Sequence, residues 1–223
     1  MFDRHSKMKK VKAFIFDYDG VLAESNQIKT EAFRQIFKRE ATNNVDKFLA
    51  YHKKNEGISR IDKIKFFYES ILKNKLEEKD LELKALEFSN LVLDKVIKCK
   101  KVKGSNKFIK NNFNNFNLFV STGTPQEEIS LILKKTKINN FFKMVLGSPK
   151  TKKQHISFIM KKYNLSSDEI IFIGDSKTDM LAAESFKIHF ILRTHNLNKE
   201  LSESFRGDKI NDFNDLNNLL KIN

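Results

Sequence analysis

The chain has 223 residues, 40% of them hydrophobic and 31% charged, a length that suits one domain with an elaboration or two small ones. Its single cysteine, Cys99, excludes an intramolecular disulfide framework and fits a reducing compartment, and no run nears the ~18 apolar residues of a membrane-spanning helix. Lys and Arg outnumber Asp and Glu 42 to 28, giving a formal charge of +14. The lysines are interleaved with acids, however, and the abundance of Lys, Asn, Ile and Phe (21 Phe) with only 7 Gly matches AT-rich codons. Basicity alone therefore does not make nucleic acid the partner. The basic segment 1–12 is not followed by an apolar run with a small-residue cleavage site. The expectation is a soluble cytoplasmic protein with no nucleic-acid or membrane partner.

In chain order, VKAFIFD at 11–17 is a short β-rich apolar run ending in a carboxylate. Residues 24–103 then show apolar positions with a period near 3.6, as in Ala32-Phe33-Ile36-Phe37, Ile61-Ile64-Phe67-Tyr68 and Leu86-Phe88-Leu91-Val92, and predict a helical segment. FNLFVST at 116–122 predicts a second strand. Thr124-Pro125-Gln126-Glu127 reads as a capping box, with Ile129, Ile132 and Leu133 following at helical spacing. FKMVL at 142–146, IIFIG at 170–174 and HFILRT at 189–194 predict further strands, separated by helices over 152–163 and 178–186. A last short helix is predicted over 212–220. Bulky runs without alternation suit strands buried on both faces of a parallel sheet, and strand–helix alternation predicts a doubly wound α/β domain.

The polar residues of interest all fall at strand ends, where such sheets bind ligands. After the first strand come Asp17-Tyr18-Asp19-Gly20, two carboxylates two apart followed by glycine. After the second come Ser121-Thr122-Gly123-Thr124, hydroxyls and glycine at a helix start, a turn that offers N–H groups to a phosphate. After the third, Lys150, Lys152 and Lys153 supply cations; after the fourth, Asp175 and Asp179 add two more carboxylates.

In this order the four motifs resemble the haloacid dehalogenase superfamily of aspartate-nucleophile phosphatases. The helical segment after the first motif resembles the C1 cap of the group that contains phosphoglycolate phosphatases and β-phosphoglucomutases. The resemblance implies a Rossmann-like core of residues 1–22 and 104–223 and an inserted α-helical cap of residues 23–103. It implies that Asp17 is the nucleophile, Asp19 the general acid/base, and Lys152 or Lys150 the motif lysine: a phosphoserine-phosphatase-like spacing to the Gly-Asp motif favours Lys152, and the cap group's KPxP spacing favours Lys150. Ser121, with Thr122 and Gly123, would bind the phosphoryl group. Asp17, Asp19 (through its carbonyl) and Asp175 would hold Mg²⁺, supported by Asp179.

The chemistry agrees with the resemblance. A carboxylate attacking phosphorus splits one hard displacement into two easier ones, clustered acids call for a hard cation, and mutual repulsion is expected to keep Asp19 protonated. Tyr18 is expected in packing. Arg60, after the helix-interrupting Gly57-Ile58-Ser59, is the expected cap contact to a substrate anion. His5, His52, His155, His189 and His195 lack metal-ligand spacing and read as structural or surface residues. Cys99, among Lys98, Lys100 and Lys101, could have a lowered pKa. The implied partner is a small phosphorylated metabolite (a sugar phosphate or a phosphoglycolate-like acid), acted on by a monomer or homodimer. A phosphomutase is the first alternative and a basic RNA-binding protein a remote one.

Overall fold

The structure, a computed structural model, describes residues 11–221. Six strands form one parallel sheet in the order β3-β2-β1-β4-β5-β6. They are β1 (Ala13–Phe16), β2 (Asn117–Pro125), β3 (Met144–Ser148), β4 (Ile170–Gly174), β5 (His189–Arg193) and β6 (Asp208–Ile210). β1 lies at the centre, paired to β2 on one side and β4 on the other, so the strand order reverses beside it. Its four residues explain the missing alternation. Phe14 and Phe16 enter one hydrophobic core, Ala13 and Ile15 the other, and all four are fully buried.

The first core is covered by α5 (Ser105–Asn112), α6 (Gln126–Lys135) and α10 (Phe213–Leu220), through Phe108, Ile132 and Phe213. The opposite face is covered by α7 (Lys152–Tyr163) and α8 (Lys177–Ser185), through Ile156, Ile159 and Ala183. A shorter helix, α9 (Lys199–Ser204), leads into β6.

Between β1 and α5 the chain forms a helical insertion of α1 (Asn26–Ile36), α2 (Thr42–Lys54), α3 (Arg60–Phe66) and α4 (Glu78–Lys98). α3 runs on into a π-helical turn, Phe67–Ile71. Aromatic residues fill its interior: Phe37 stacks on Phe67 at 3.8 Å between ring centroids, and Phe33 lies 4.4 Å from Phe88. The insertion leaves and returns through a narrow neck. Ala23 bridges Lys101, the Glu24 amide donates to the Lys100 carbonyl at 2.9 Å, and the Val102 amide to Leu22 at 3.1 Å. Among the described residues no helix is long and apolar enough to cross a membrane.

Three local expectations change. The capping box at Thr124 does not form: the β2 segment extends to Pro125, which takes the N-cap position of α6 without a side-chain bond, because the Thr124 hydroxyl is used elsewhere. β6 went unpredicted, since its Asp-Lys-Ile sequence carries no strand signal. Leu86, assigned to a buried stripe, is 56% exposed, whereas Phe88, Val92 and Val96 of the same helix are buried.

Candidate active site

The carboxyl ends of β1, β2 and β4 meet the insertion over a small cavity lined by Asp17, Asp19, Thr122, Gly123 and Asp175 from below and by Lys29, Arg60 and Lys63 from above. Asp17 follows β1 directly, its amide donating to the Ile173 carbonyl at 3.0 Å. Its Oδ1 accepts from the Tyr18 amide at 2.7 Å and its Oδ2 faces Lys152 Nζ at 2.8 Å. Burial pushes the Asp17 carboxyl well above the usual carboxylate range; Lys152 pulls it down, while Asp179, Asp175 and Asp19 add to the rise. Tyr18 is fully buried, as expected of a packing residue.

Lys152 is the first residue of α7, whose start is fixed by the Thr151–Gln154 capping box. That start turns its ammonium inward onto both Asp17 and Asp179. Burial alone would lower its pKa, but the two carboxylates outweigh burial and raise it. Lys150 is exposed, with its ammonium over the Phe158 ring, so the lysine in the cluster is Lys152. Asp179, at the start of α8, joins a capping box with Ser176 and also pairs with Lys152. One carboxylate thus caps a helix and orients a cation.

Asp19 departs from expectation. Lys29 of α1 pairs with its Oδ2, Ser25 Oγ donates to Oδ1 at 2.6 Å, and Thr124 Oγ1 donates to Oδ2 at 3.1 Å. Burial, the largest single effect, pushes the Asp19 carboxyl up, but the charge of Lys29 and these hydrogen bonds together bring it below its ordinary value. The aspartates that burial leaves raised are Asp17 and Asp179, not Asp19.

The hydroxyl that reaches the cavity is displaced by one residue from the expected Ser121. Strand alternation sends Ser121 to the far side of β2, where its hydroxyl donates to His155 Nδ1 at 2.9 Å while His155 Nε2 donates to the Gly147 carbonyl at 3.1 Å. Thr122 and Gly123 line the cavity and Ser121 does not. Gly123 is pressed against the insertion: a Cβ there would lie 2.9 Å from the Gly57 carbonyl. Arg60 lines the cavity too, but its guanidinium is bound bidentately by Glu128 of α6, at 2.8 and 2.5 Å, and lies over the Phe88 ring. It is therefore not free to meet an anion in this arrangement.

Several cavity residues escaped the sequence reading. Asn26, Lys29 and Phe33 share one face of α1 at i, i+3 and i+7, so polar residues on an otherwise buried stripe were the available signal. His195, expected to be structural or on the surface, lies with Nε2 2.8 Å from Asp175 Oδ2. His52 is buried, and its Nδ1 accepts from Lys63 Nζ at 2.9 Å. Burial brings Lys63 down to about 7 and pushes Glu56 up to about 8. His5 lies outside the described residues. Around Cys99 burial outweighs Lys101 and raises the thiol, contrary to expectation.

The donor set suits a hard divalent cation. Oxygen atoms of Asp17, Asp175 and Asp179 lie within 4.8 Å of one another, and among the described residues Lys152 is the only lysine that pairs with any of the three. Clustered carboxylate oxygens are the ligands Mg²⁺ prefers.

The model of the haloacid dehalogenase-like hydrolases matches residues 14–193. A phosphoglycolate phosphatase of Colwellia psychrerythraea is 33% identical over 88 residues, a stretch covering 37% of this chain and 39% of that protein's length. Among solved structures, a predicted phosphoglycolate phosphatase from Haemophilus somnus 129PT has a TM-score of 0.74 at 19% identity, with 94% of this chain and 98% of that one covered. A β-phosphoglucomutase from Clostridium difficile gives 0.73 at 17% identity, covering 95% and 97%. With its motifs at the ends of β1, β2, α7 and β4, the chain belongs to the haloacid dehalogenase-like hydrolases.

Proposed function

We propose that this protein is a Mg²⁺-dependent phosphatase that hydrolyses a small phosphate monoester through a phosphorylated Asp17. The observation that carries the reading is the placement of Asp17: a buried carboxylate at the end of the central strand, 2.8 Å from the Lys152 ammonium and clustered with Asp175 and Asp179.

The Asp17 carboxylate attacks phosphorus, the bond from phosphorus to the ester oxygen breaks, and the leaving oxygen takes a proton from Asp19. Water then attacks the acyl phosphate and gives its proton to Asp19, releasing inorganic phosphate and restoring Asp17. Lys152, the Thr122 hydroxyl and the turn at Gly123 offset charge on the transferring group, where such catalysis chiefly resides. Asp17 and Asp175 would hold the cation, with Asp19 and Asp179 beside them; once bound, it would neutralise charge on the phosphoryl oxygens. With Lys29 on its carboxylate, Asp19 is in the ionised form that accepts a proton from water. Donating one to the leaving group requires that the Lys29 contact be released.

The insertion, residues 23–103, would serve as the cap over a core of residues 1–22 and 104–223. Arg60, tied to Glu128, would shape the cavity wall. Lys63 gives the substrate a preferred chemistry. Only 4% exposed and hydrogen-bonded to His52, it makes no ion pair among the described residues and would meet a second anionic group. That favours a phosphorylated small acid, such as the phosphoglycolate in the relatives' names, over a neutral sugar phosphate. The protein would act on this metabolite in the cytoplasm.

The test is phosphate release from a panel of monoesters, with Mg²⁺ and with chelator. Release should require the metal and fall to background in Asp17→Asn. Turnover that persists in Asp17→Asn would end this reading. Isomerisation of a hexose 1-phosphate without phosphate release would replace it with a mutase.

A further inference from the structure

We infer that Asn26 and His195 are positioning residues for Asp175: together they saturate its Oδ2 and leave Oδ1 as the oxygen that faces the metal. This rests on reading the acid cluster as a divalent-cation centre.

Two donors from distant segments converge on one oxygen. Asn26 Nδ2 donates to Asp175 Oδ2 at 2.7 Å, and His195 Nε2 stands 2.8 Å from the same atom. The direction of the histidine contact follows from its other nitrogen. The Leu197 amide donates to His195 Nδ1 at 3.2 Å, so Nδ1 bears the lone pair and the hydrogen of the neutral ring is on Nε2. A histidine that ligates a metal through Nε2 needs its hydrogen on Nδ1, where the Leu197 N–H already points. Although Glu56, Asp175 and His195 together have the look of a ligand set, the ring is a donor to the carboxylate and not a ligand.

The surrounding geometry holds this arrangement in place. The His195 amide donates to Asn198 Oδ1 at 2.9 Å, and Asn198 Nδ2 donates to the Asp175 carbonyl at 2.7 Å. The loop after β5 therefore grips both the main chain and the side chain of Asp175. Asn26, the first residue of α1, is buried and also reaches Glu56 Oε2 at 3.3 Å. Gly20, at φ +70°, lies directly against the pair: a Cβ there would be 1.9 Å from Asp175 Oδ2 and 2.5 Å from Asn26 Nδ2. Among the described residues no donor reaches Asp175 Oδ1. A carboxylate with one oxygen saturated and its backbone tethered cannot turn about its bond, so the other oxygen is presented in a fixed direction. Partners of this kind typically govern 10–100-fold in metal affinity.

Calorimetric titration of the full chain with Mg²⁺, alongside thermal unfolding of the metal-free protein, tests this. Both His195→Ala and Asn26→Ala should raise Kd about 10–100-fold. His195→Gln, whose Nε2–H can reach the same oxygen, should restore affinity to within about threefold of wild type and leave the Mn²⁺-to-Mg²⁺ affinity ratio unchanged. Asn26 lies on a different element from the β5–α9 loop, so the test stands even where His195→Ala fails to fold. Wild-type affinity in both alanine variants overturns the inference. So does His195→Gln binding no better than His195→Ala, or losing preference for Mn²⁺, which would put the ring nitrogen on the ion. A wild-type protein that takes up no Mg²⁺ defeats the metal reading itself and is seen before any substitution is made.

Discussion

The Arg60–Glu128 pair joins the insertion to the core, and its removal should be costly in a way that a surface ion pair is not. Both side chains are at least nine-tenths buried, at 5% and 8% exposure, and two hydrogen bonds of 2.8 and 2.5 Å connect them. Glu128→Leu leaves a buried guanidinium with Ser89 and the Phe88 ring as its remaining partners. Breaking such a pair from one side costs about 3–5 kcal/mol, and for a chain of this size that is a fall in Tm of about 6–20 °C. Arg60→Met should cost a similar amount by stranding the carboxylate. The double variant, which removes both charges and keeps apolar volume, should return to within about 1 kcal/mol of wild type. Urea unfolding of the four proteins closes the cycle. A Glu128→Leu cost below about 1 kcal/mol, the range of exposed pairs, would refute the reasoning.

Other expectations follow from the same polar network. In wild type the Asp19–Lys29 contact holds Asp19 below its ordinary pKa, contributing stability above the unfolded value of about 3.9 that is lost as pH falls through the folded one. Lys29→Met leaves burial dominant and raises Asp19, so the loss measured by urea unfolding should be full at pH 7 and shrink toward pH 4. Burial lowers His155 to about 4 from 6.5, so it favours the fold above pH 6.5 and withdraws about 3 kcal/mol as pH drops toward 4. Thermal melts of His155→Gln should show a flatter acid limb than wild type. Lys63→Met should raise KM about 10–100-fold for a monoester bearing a carboxylate and leave a neutral-tailed ester unchanged, as steady-state phosphate release would show.

What could be read from the sequence was whatever depends on neighbours along the chain. VKAFIFD and IIFIG announce two-sided burial because Phe14 and Ile15 go to opposite cores and both must be apolar. Between Lys152 and Lys150 the two spacings of the resemblance pointed opposite ways, and the inward turn of α7 that puts Lys152 on Asp17 is not a local signal. Pairings set by the tertiary fold could not be read. Asn26 finds Asp175 across 149 positions and Lys29 finds Thr124 across 95, and no local pattern encodes either. Thr124 shows how such a contact overrides local preference, since its hydroxyl serves Asp19 and Lys29 instead of capping α6. Ser121 lies away from the cavity because a run of hydroxyls after a strand does not say which of them faces it; the pleat decides that.

The neck at Ala23 and Lys101 has a mechanical consequence. Both strands of the tether meet four residues beyond Asp19 in sequence, so any tilt of the helices has its fulcrum beside the acid and not out at the periphery. Displacement in such a tilt grows with distance from the fulcrum, so the far helices would travel furthest while Lys29, close to the neck, would shift least, and the sheet would not need to deform. The Lys29–Asp19 contact would thus outlast small tilts and part only late in a wide stroke.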